Sequence, residues 1–235
     1  MMHGITLELC AGSLRDCELA ERFPIDRIEL NSALELDGLT PSLSALRLAG
    51  KRTGKKIICM VRPRPAGFVY YPEEQKTMFA DAELFLQNGA DGIAFGFLNP
   101  DHTVDKALTS DMCRLILQYD RQAVFHMAFD LTPDPFAACE TLIACGATRV
   151  LTKGHAANAL EGTPLLAQLN ALYGDDIEIL PGGGVSGDNA SEIIKQSGSK
   201  QIHFAAKSLK QDSGGYLACD ERKINAILDN LRKNI

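Results

Sequence analysis

The sequence has seven cysteines, at positions 10, 17, 59, 113, 139, 145 and 219, but no C-x-x-C pair and no zinc-type spacing among them. An odd, scattered set of this kind excludes a disulfide framework and points to reduced thiols in a cytosolic protein. No run of apolar residues approaches the roughly 18 needed to span a bilayer. The N-terminus enters its first strand almost at once, without the charged and apolar regions of a secretory signal. Basic charge is in deficit: 24 Lys and Arg face 30 Asp and Glu, for a net charge of -6 and a pI near 5.4. That balance argues against a nucleic-acid or anionic-membrane partner, either of which needs a basic face. Linkers and low-complexity stretches are missing too, so residues 1–235 read as one domain.

What is present is an ordinary globular composition, 46% hydrophobic and 23% charged, arranged as a repeated strand–helix pattern. Alternating or continuous apolar runs predict strands at 5–10, 27–31, 57–61, 92–97, 124–130, 149–152, 177–180 and 201–205. A helix follows each. The helix starts include Ser13 as an N-cap, Thr40 as a cap with Pro41 behind it, and Asp134–Pro135, while Gly89 and Gly146 close two of the ends. Eight βα units in 235 residues predict a single (β/α)8 TIM-type barrel, a fold of usually about 250 residues. The rival is a doubly wound open sheet, whose strands, covered on both faces, read as unbroken apolar runs. Only the third and fourth strands do so here. The first, second, fifth and eighth carry Glu8, Glu29, His126 and His203 opposite their apolar side, as a barrel with a partly polar interior requires.

The fifth strand is the most informative. At a period of two, His126, Ala128 and Asp130 share one face and Phe125, Met127 and Phe129 the other, so Met127 is expected to face outward. The barrel gathers Glu8, Cys10, Glu29, Arg62, His126, Asp130 and His203 at its C-terminal mouth, where such folds keep their chemistry. So many ionisable groups at inward positions are expensive to desolvate, which favours a functional pocket over an ion-pair network. An anion site is expected at the glycine run Gly182, Gly183 and Gly184, read as preceding a helix N-terminus after the seventh strand. Gly154, Lys153 and Lys207 would add donors and charge. In this reading the protein is an enzyme acting on a small anionic, for instance phosphorylated, metabolite. Arg62 and the glycine turn hold the anion, His126 oriented by Asp130 moves a proton, and Glu8 or Glu29 is a second acid or base. A metal is the other reading. Copper(I) wants soft ligands, of which the mouth offers Cys10, with Cys59 in mid-strand and Cys17 in a helix; Glu8, His126, His203 and Asp130 would suit a harder ion.

Many short motifs in order then match one family. Leu7-Glu8-Leu9-Cys10, Arg27-Ile28-Glu29-Leu30, Gly38 to Ser42, Val61-Arg62-Pro63-Arg64, Phe125-His126 with Ala128-Phe129-Asp130, Arg149 to Thr152, Gly182 to Val185 and Ile202-His203 resemble the CutC family of copper homeostasis proteins. The resemblance implies a TIM-type barrel, a cytoplasmic setting, assembly as a homodimer or larger homo-oligomer, and a link to copper tolerance or copper(I) binding. The chain departs from the family pattern at Asn31, where a cysteine is common, at Met127 in place of an arginine, and at Lys153 in place of a serine. Phe204 and Ala205 replace a pair of serines. A two-cysteine copper(I) site built on Cys10 and position 31 is therefore not available.

Overall fold

The computed structural model describes residues 2–235. Strands and helices alternate as β1 (Thr6–Ala11), α1 (Leu14–Glu21), β2 (Arg27–Leu30), α2 (Leu43–Arg52), β3 (Lys56–Met60), α3 (Pro72–Gln87), β4 (Gly92–Phe95), α4 (Lys106–Leu117), β5 (Gln122–Phe125), α5 (Pro135–Cys145), β6 (Arg149–Thr152), α6 (Thr163–Tyr173), β7 (Glu178–Pro181), α7 (Ala190–Ser197) and β8 (Gln201–Phe204). The sheet order is β7-β6-β5-β4-β3-β2-β1-β8, and all its pairings are parallel. In an open sheet β7 and β8 would be opposite edges. Here they meet, with Ser199 Oγ donating to Ile179 O at 2.9 Å and Gln201 Nε2 to the same carbonyl at 3.4 Å. The sheet is a nearly closed TIM-type barrel, its last seam fastened by side chains.

Local signals explain most helix starts. Ser13 Oγ accepts from Asp16 N, and Asp134 Oδ1 accepts from Phe136 N and Ala137 N ahead of Pro135. The α2 cap is Ser42 rather than the expected Thr40, whose hydroxyl instead accepts from Arg62 N at 2.9 Å and ties the end of β3 to this loop. Helix α4 begins a turn earlier than expected, under an Asp105 cap. After β8 the chain makes a hairpin that the sequence reading does not contain, β9 (Lys207–Gln211) paired antiparallel with β10 (Gly215–Cys219), before α8 (Glu221–Asn234).

The main core lies between barrel and helices, where Leu7, Leu9, Ile28, Leu30, Phe95, Phe125 and Phe204 are buried. The barrel interior is divided. Towards β3, β4 and β5 it holds a small apolar cluster of Ile58, Met60, Ala94 and Val124. Elsewhere it holds buried Glu8, Arg27, Glu29, Arg149, Gln201 and His203. The division explains why β3 and β4 read as continuous apolar runs while β1, β2 and β8 alternate. No helix among the described residues is long and apolar enough to cross a membrane.

Candidate functional site

The polar half of the mouth is set by strand register. Glu8 on β1 lies opposite both Arg27 on β2 and His203 on β8, and one step higher Cys10 lies opposite Glu29. Arg27 Nε donates to Glu8 Oε2, while Arg27 Nη2 donates to Gln201 Oε1 at 2.9 Å. The other Glu8 oxygen is 2.7 Å from His203 Nδ1. Burial opposes the charge of Glu8, yet Arg27 and His203 hold its carboxyl well below the usual range. Burial equally opposes a charged His203, but Glu29, Cys10 and Glu8 raise it well above an ordinary imidazole. Burial pushes Glu29 up, and pushes the Cys10 thiol up to about 11.

With Nδ1 committed to Glu8, His203 turns Nε2 towards Glu29, 3.9 Å from its Oε2. Cys10 Sγ, a Glu29 oxygen and a His203 ring nitrogen all lie within 4.8 Å of one another. Asn31 organises the group: its Nδ2 reaches Glu29 Oε2 at 2.9 Å and Cys10 Sγ at 3.4 Å. Gly182 makes the space, since a Cβ there would stand 3.2 Å from His203 Cβ and Cδ2 and 2.7 Å from Leu151 Cδ1. Such a set could hold a metal ion once His203 gives up its Nε2 proton: a thiol, an imidazole nitrogen and a carboxylate, with a second carboxylate orienting the imidazole from behind.

The apolar side of the mouth carries His126 and Arg62, and here three expectations are corrected. First, His126 is not oriented by Asp130. Strand β5 ends at Phe125 and the chain turns into a short 3-10 helix over Met127–Leu131, so the two-residue parity stops at His126. His126 Nδ1 accepts from Ala128 N at 3.2 Å. The Asp130 carboxylate accepts from Thr152 Oγ1 at 2.6 Å, His155 N at 2.9 Å and Lys153 N at 3.1 Å. Secondly, the same turn brings Met127 inward rather than out, its Cε 3.2 Å from where a Gly183 Cβ would be. Thirdly, Arg62 reaches the mouth but spends both terminal nitrogens on backbone carbonyls: Nη1 on Leu36, Asp37 and Gly38, and Nη2 on Ala66.

Part of the glycine turn and of the loop facing it is already engaged within the protein. Gly182 N donates to Thr152 O and Gly154 N to Thr152 Oγ1, while Asp130 occupies the amides of Lys153 and His155. Helix α7 starts at Ala190, so Gly182–Gly184 do not abut its N-terminus. Lys207 lies on the hairpin and donates through Nζ to Leu34 O. Lys153 does stand beside Gly183, with its Cβ 3.2 Å from a Cβ built there. The sequence reading names Asn31 only for the cysteine it lacks, and does not place Arg27, Gln201, Phe68 or Tyr70 in the mouth. For Arg27 and Asn31 a signal existed, since they share the Glu29 face of β2.

With this geometry in hand, comparison with known proteins is decisive. The CutC family model matches residues 5–208. The chain belongs to the CutC family. A CutC family protein of Treponema denticola is 49% identical over 211 residues, which is 90% of this chain and 85% of that one. The human copper homeostasis protein cutC homolog is 35% identical, covering 97% of this chain and 91% of its own. Among solved structures, the copper homeostasis protein CutC from Streptococcus agalactiae superposes with a TM-score of 0.80 at 30% identity, over 85% of this CutC-family chain and 98% of that one. The 3-hexulose-6-phosphate synthase of Salmonella typhimurium, at 13% identity and a TM-score of 0.66, shares the barrel alone.

Proposed function

We propose that this protein takes part in copper homeostasis by holding copper(I), as cargo, at Cys10 and His203 Nε2 in the barrel mouth. The carrying observation is the cluster itself, in which one thiol, one imidazole nitrogen and one carboxylate oxygen lie within 4.8 Å of one another. Copper(I) favours the thiolate first and accepts imidazole, and Glu29 is the harder donor that borders them. Asn31 brings no second sulfur to the site, so the ion is held by mixed donors rather than by a thiolate pair. Because metal displaces a proton both from the Cys10 thiol, pushed up to about 11, and from His203, held charged by its carboxylates, binding strengthens as pH rises. The seven free cysteines fit a reducing cytoplasm, where copper is kept as copper(I).

The test is copper(I) titration of the reduced protein against a chromogenic chelator, for wild type and Cys10→Ser. One equivalent bound by the wild type and lost in Cys10→Ser is the expected result. Glu8→Gln, which replaces the carboxylate orienting His203 with a neutral amide, is expected to weaken binding by about 10–100-fold. Equal binding by wild type and Cys10→Ser would refute the reading.

A further inference from the structure

Arg62 is buried at 6% exposure, and its guanidinium bonds to backbone carbonyls rather than to a carboxylate. Its terminal nitrogens satisfy themselves on four carbonyls, which are dipoles and leave the positive charge uncompensated. Its Nε–H has no partner at all among the described residues. A buried arginine so placed is a standing electrostatic cost unless something anionic joins it.

Two further donors stand in the same state nearby. His126 is 3% exposed, and its Nδ1 lone pair is taken by Ala128 N–H. The neutral ring must therefore carry its proton on Nε2, and that buried N–H is also unpartnered. The Tyr70 hydroxyl, on a residue 7% exposed, lies beside the Arg62 guanidinium, from which its oxygen accepts at most loosely, and its own O–H has no acceptor among the described residues. Phe68 joins the set: its ring packs on the His126 ring at 4.8 Å and on the Arg62 guanidinium at 5.3 Å. Gly96 keeps the imidazole in place, since a Cβ there would meet His126 Cε1 at 2.5 Å. Backbone N–H groups that are buried almost always find partners, and side-chain donors mostly do. Three that do not, two of them packed on the Phe68 ring, form a set that an acceptor can complete.

We propose that the mouth has a second binding site, distinct from the Cys10 cluster, in which the Arg62 Nε–H, the His126 Nε2–H and the Tyr70 hydroxyl bind an anionic oxygen of a small acid, with Phe68 as its cover. The chemistry calls for an acceptor-only group: a carboxylate, or the oxygens of a phosphate. Burial, reinforced by Arg62, holds the imidazole down to about 3, so His126 stays a neutral donor at physiological pH and the positive charge beside it is that of Arg62. A singly anionic group balances it.

The experiment is titration of the metal-free protein with inorganic phosphate on one arm and with acetate, pyruvate and malonate on the other. Binding is followed by melting temperature and by the nitrogen and proton resonances of the Arg62 Nε–H and the His126 Nε2–H. The expected result is saturable movement of both resonances, with a rise in melting temperature, on one of the two arms; the responding arm names the acid class. His126→Phe, which fills the ring's space without a donor, is expected to weaken that binding by about tenfold or more. His126→Gln, which keeps an N–H, should retain most of it. Cys10→Ser should bind the anion normally, so loss of copper binding and loss of anion binding are separable outcomes. The proposal fails if neither resonance moves with any of the four probes. It fails equally if an anion binds wild type and His126→Phe alike.

Discussion

The two histidines of the mouth show how little room separates opposite behaviours. Both are buried, and each stands against a glycine that a side chain would obstruct, Gly96 for His126 and Gly182 for His203. His203 has two carboxylates within reach, whereas His126 faces Arg62 and aromatic rings. One imidazole is driven up and the other down. Gly96→Ala is expected to displace the His126 ring and lower stability by about 1–3 kcal/mol, measured by urea unfolding. The pH dependence follows from His126 being held near 3 when folded against an ordinary value of 6.5. As pH falls below the ordinary value the unfolded chain binds a proton that the folded chain refuses, so stability is lost with acidification. The loss is at most about 1.4 kcal/mol per pH unit between about pH 6 and pH 4. His126→Gln cannot titrate, so its stability curve should be flatter over that window. Curves of equal slope would mean that His126 takes up its proton in the fold.

At the scale of elements, the loop after β6 is ordered from outside itself. The Asp130 carboxylate, delivered by the 3-10 turn after β5, accepts from Thr152 Oγ1 and from the amides of Lys153 and His155. His155 adopts a left-handed φ of 53°, strain that the Asp130 bonds help to hold. Asp130→Ala leaves these donors without their acceptor, at a loss of about 1–3 kcal/mol. Faster hydrogen exchange at Lys153 and His155 would localise it; unchanged exchange there would show that the loop holds itself. This element also marks where the sequence stops being readable. Parity placed Glu8, Glu29 and His203 correctly on an inward face because β1, β2 and β8 are extended through those residues. It failed after His126 because the backbone leaves the extended conformation there, and a period of two no longer says which way Met127 or Asp130 points. The bonds of Arg62 to Leu36, Asp37, Gly38 and Ala66 join two loops and leave no local pattern. The hairpin was missed for a different reason: Lys207–Gln211 is polar and half-exposed, without the buried alternation that announces a strand. The glycines at 96 and 182 were visible, but the rings they accommodate were not.

Across the whole molecule the divided interior assigns separate tasks to the two halves of one barrel. The apolar half, with Ile58, Met60, Ala94 and Val124, fills space as a core does. The charged half lies on β1, β2 and β8, with Gln201 reaching from Arg27 across to the β7 carbonyl at Ile179, so it both poises the mouth and helps close the seam. Glu8 is the residue common to these tasks, since it joins Arg27 to His203. Glu8→Gln keeps its shape but leaves Arg27 buried with a neutral partner and deprives His203 of one carboxylate. An uncompensated buried charge of this kind is expected to lower stability by about 3–5 kcal/mol. Adding Arg27→Met removes the orphaned charge, so the double variant should be more stable than Glu8→Gln alone, and the cycle of single and double variants measures the coupling. His203 separates stability from poise in the same set. Its imidazole should titrate lower in both variants, because the lost carboxylate acted on it directly, and NMR titration of the ring would read this. Recovery of stability without recovery of the His203 pKa is the outcome that a network serving the mouth predicts; recovery of both would make Arg27, rather than Glu8, the group that sets the charge of the site.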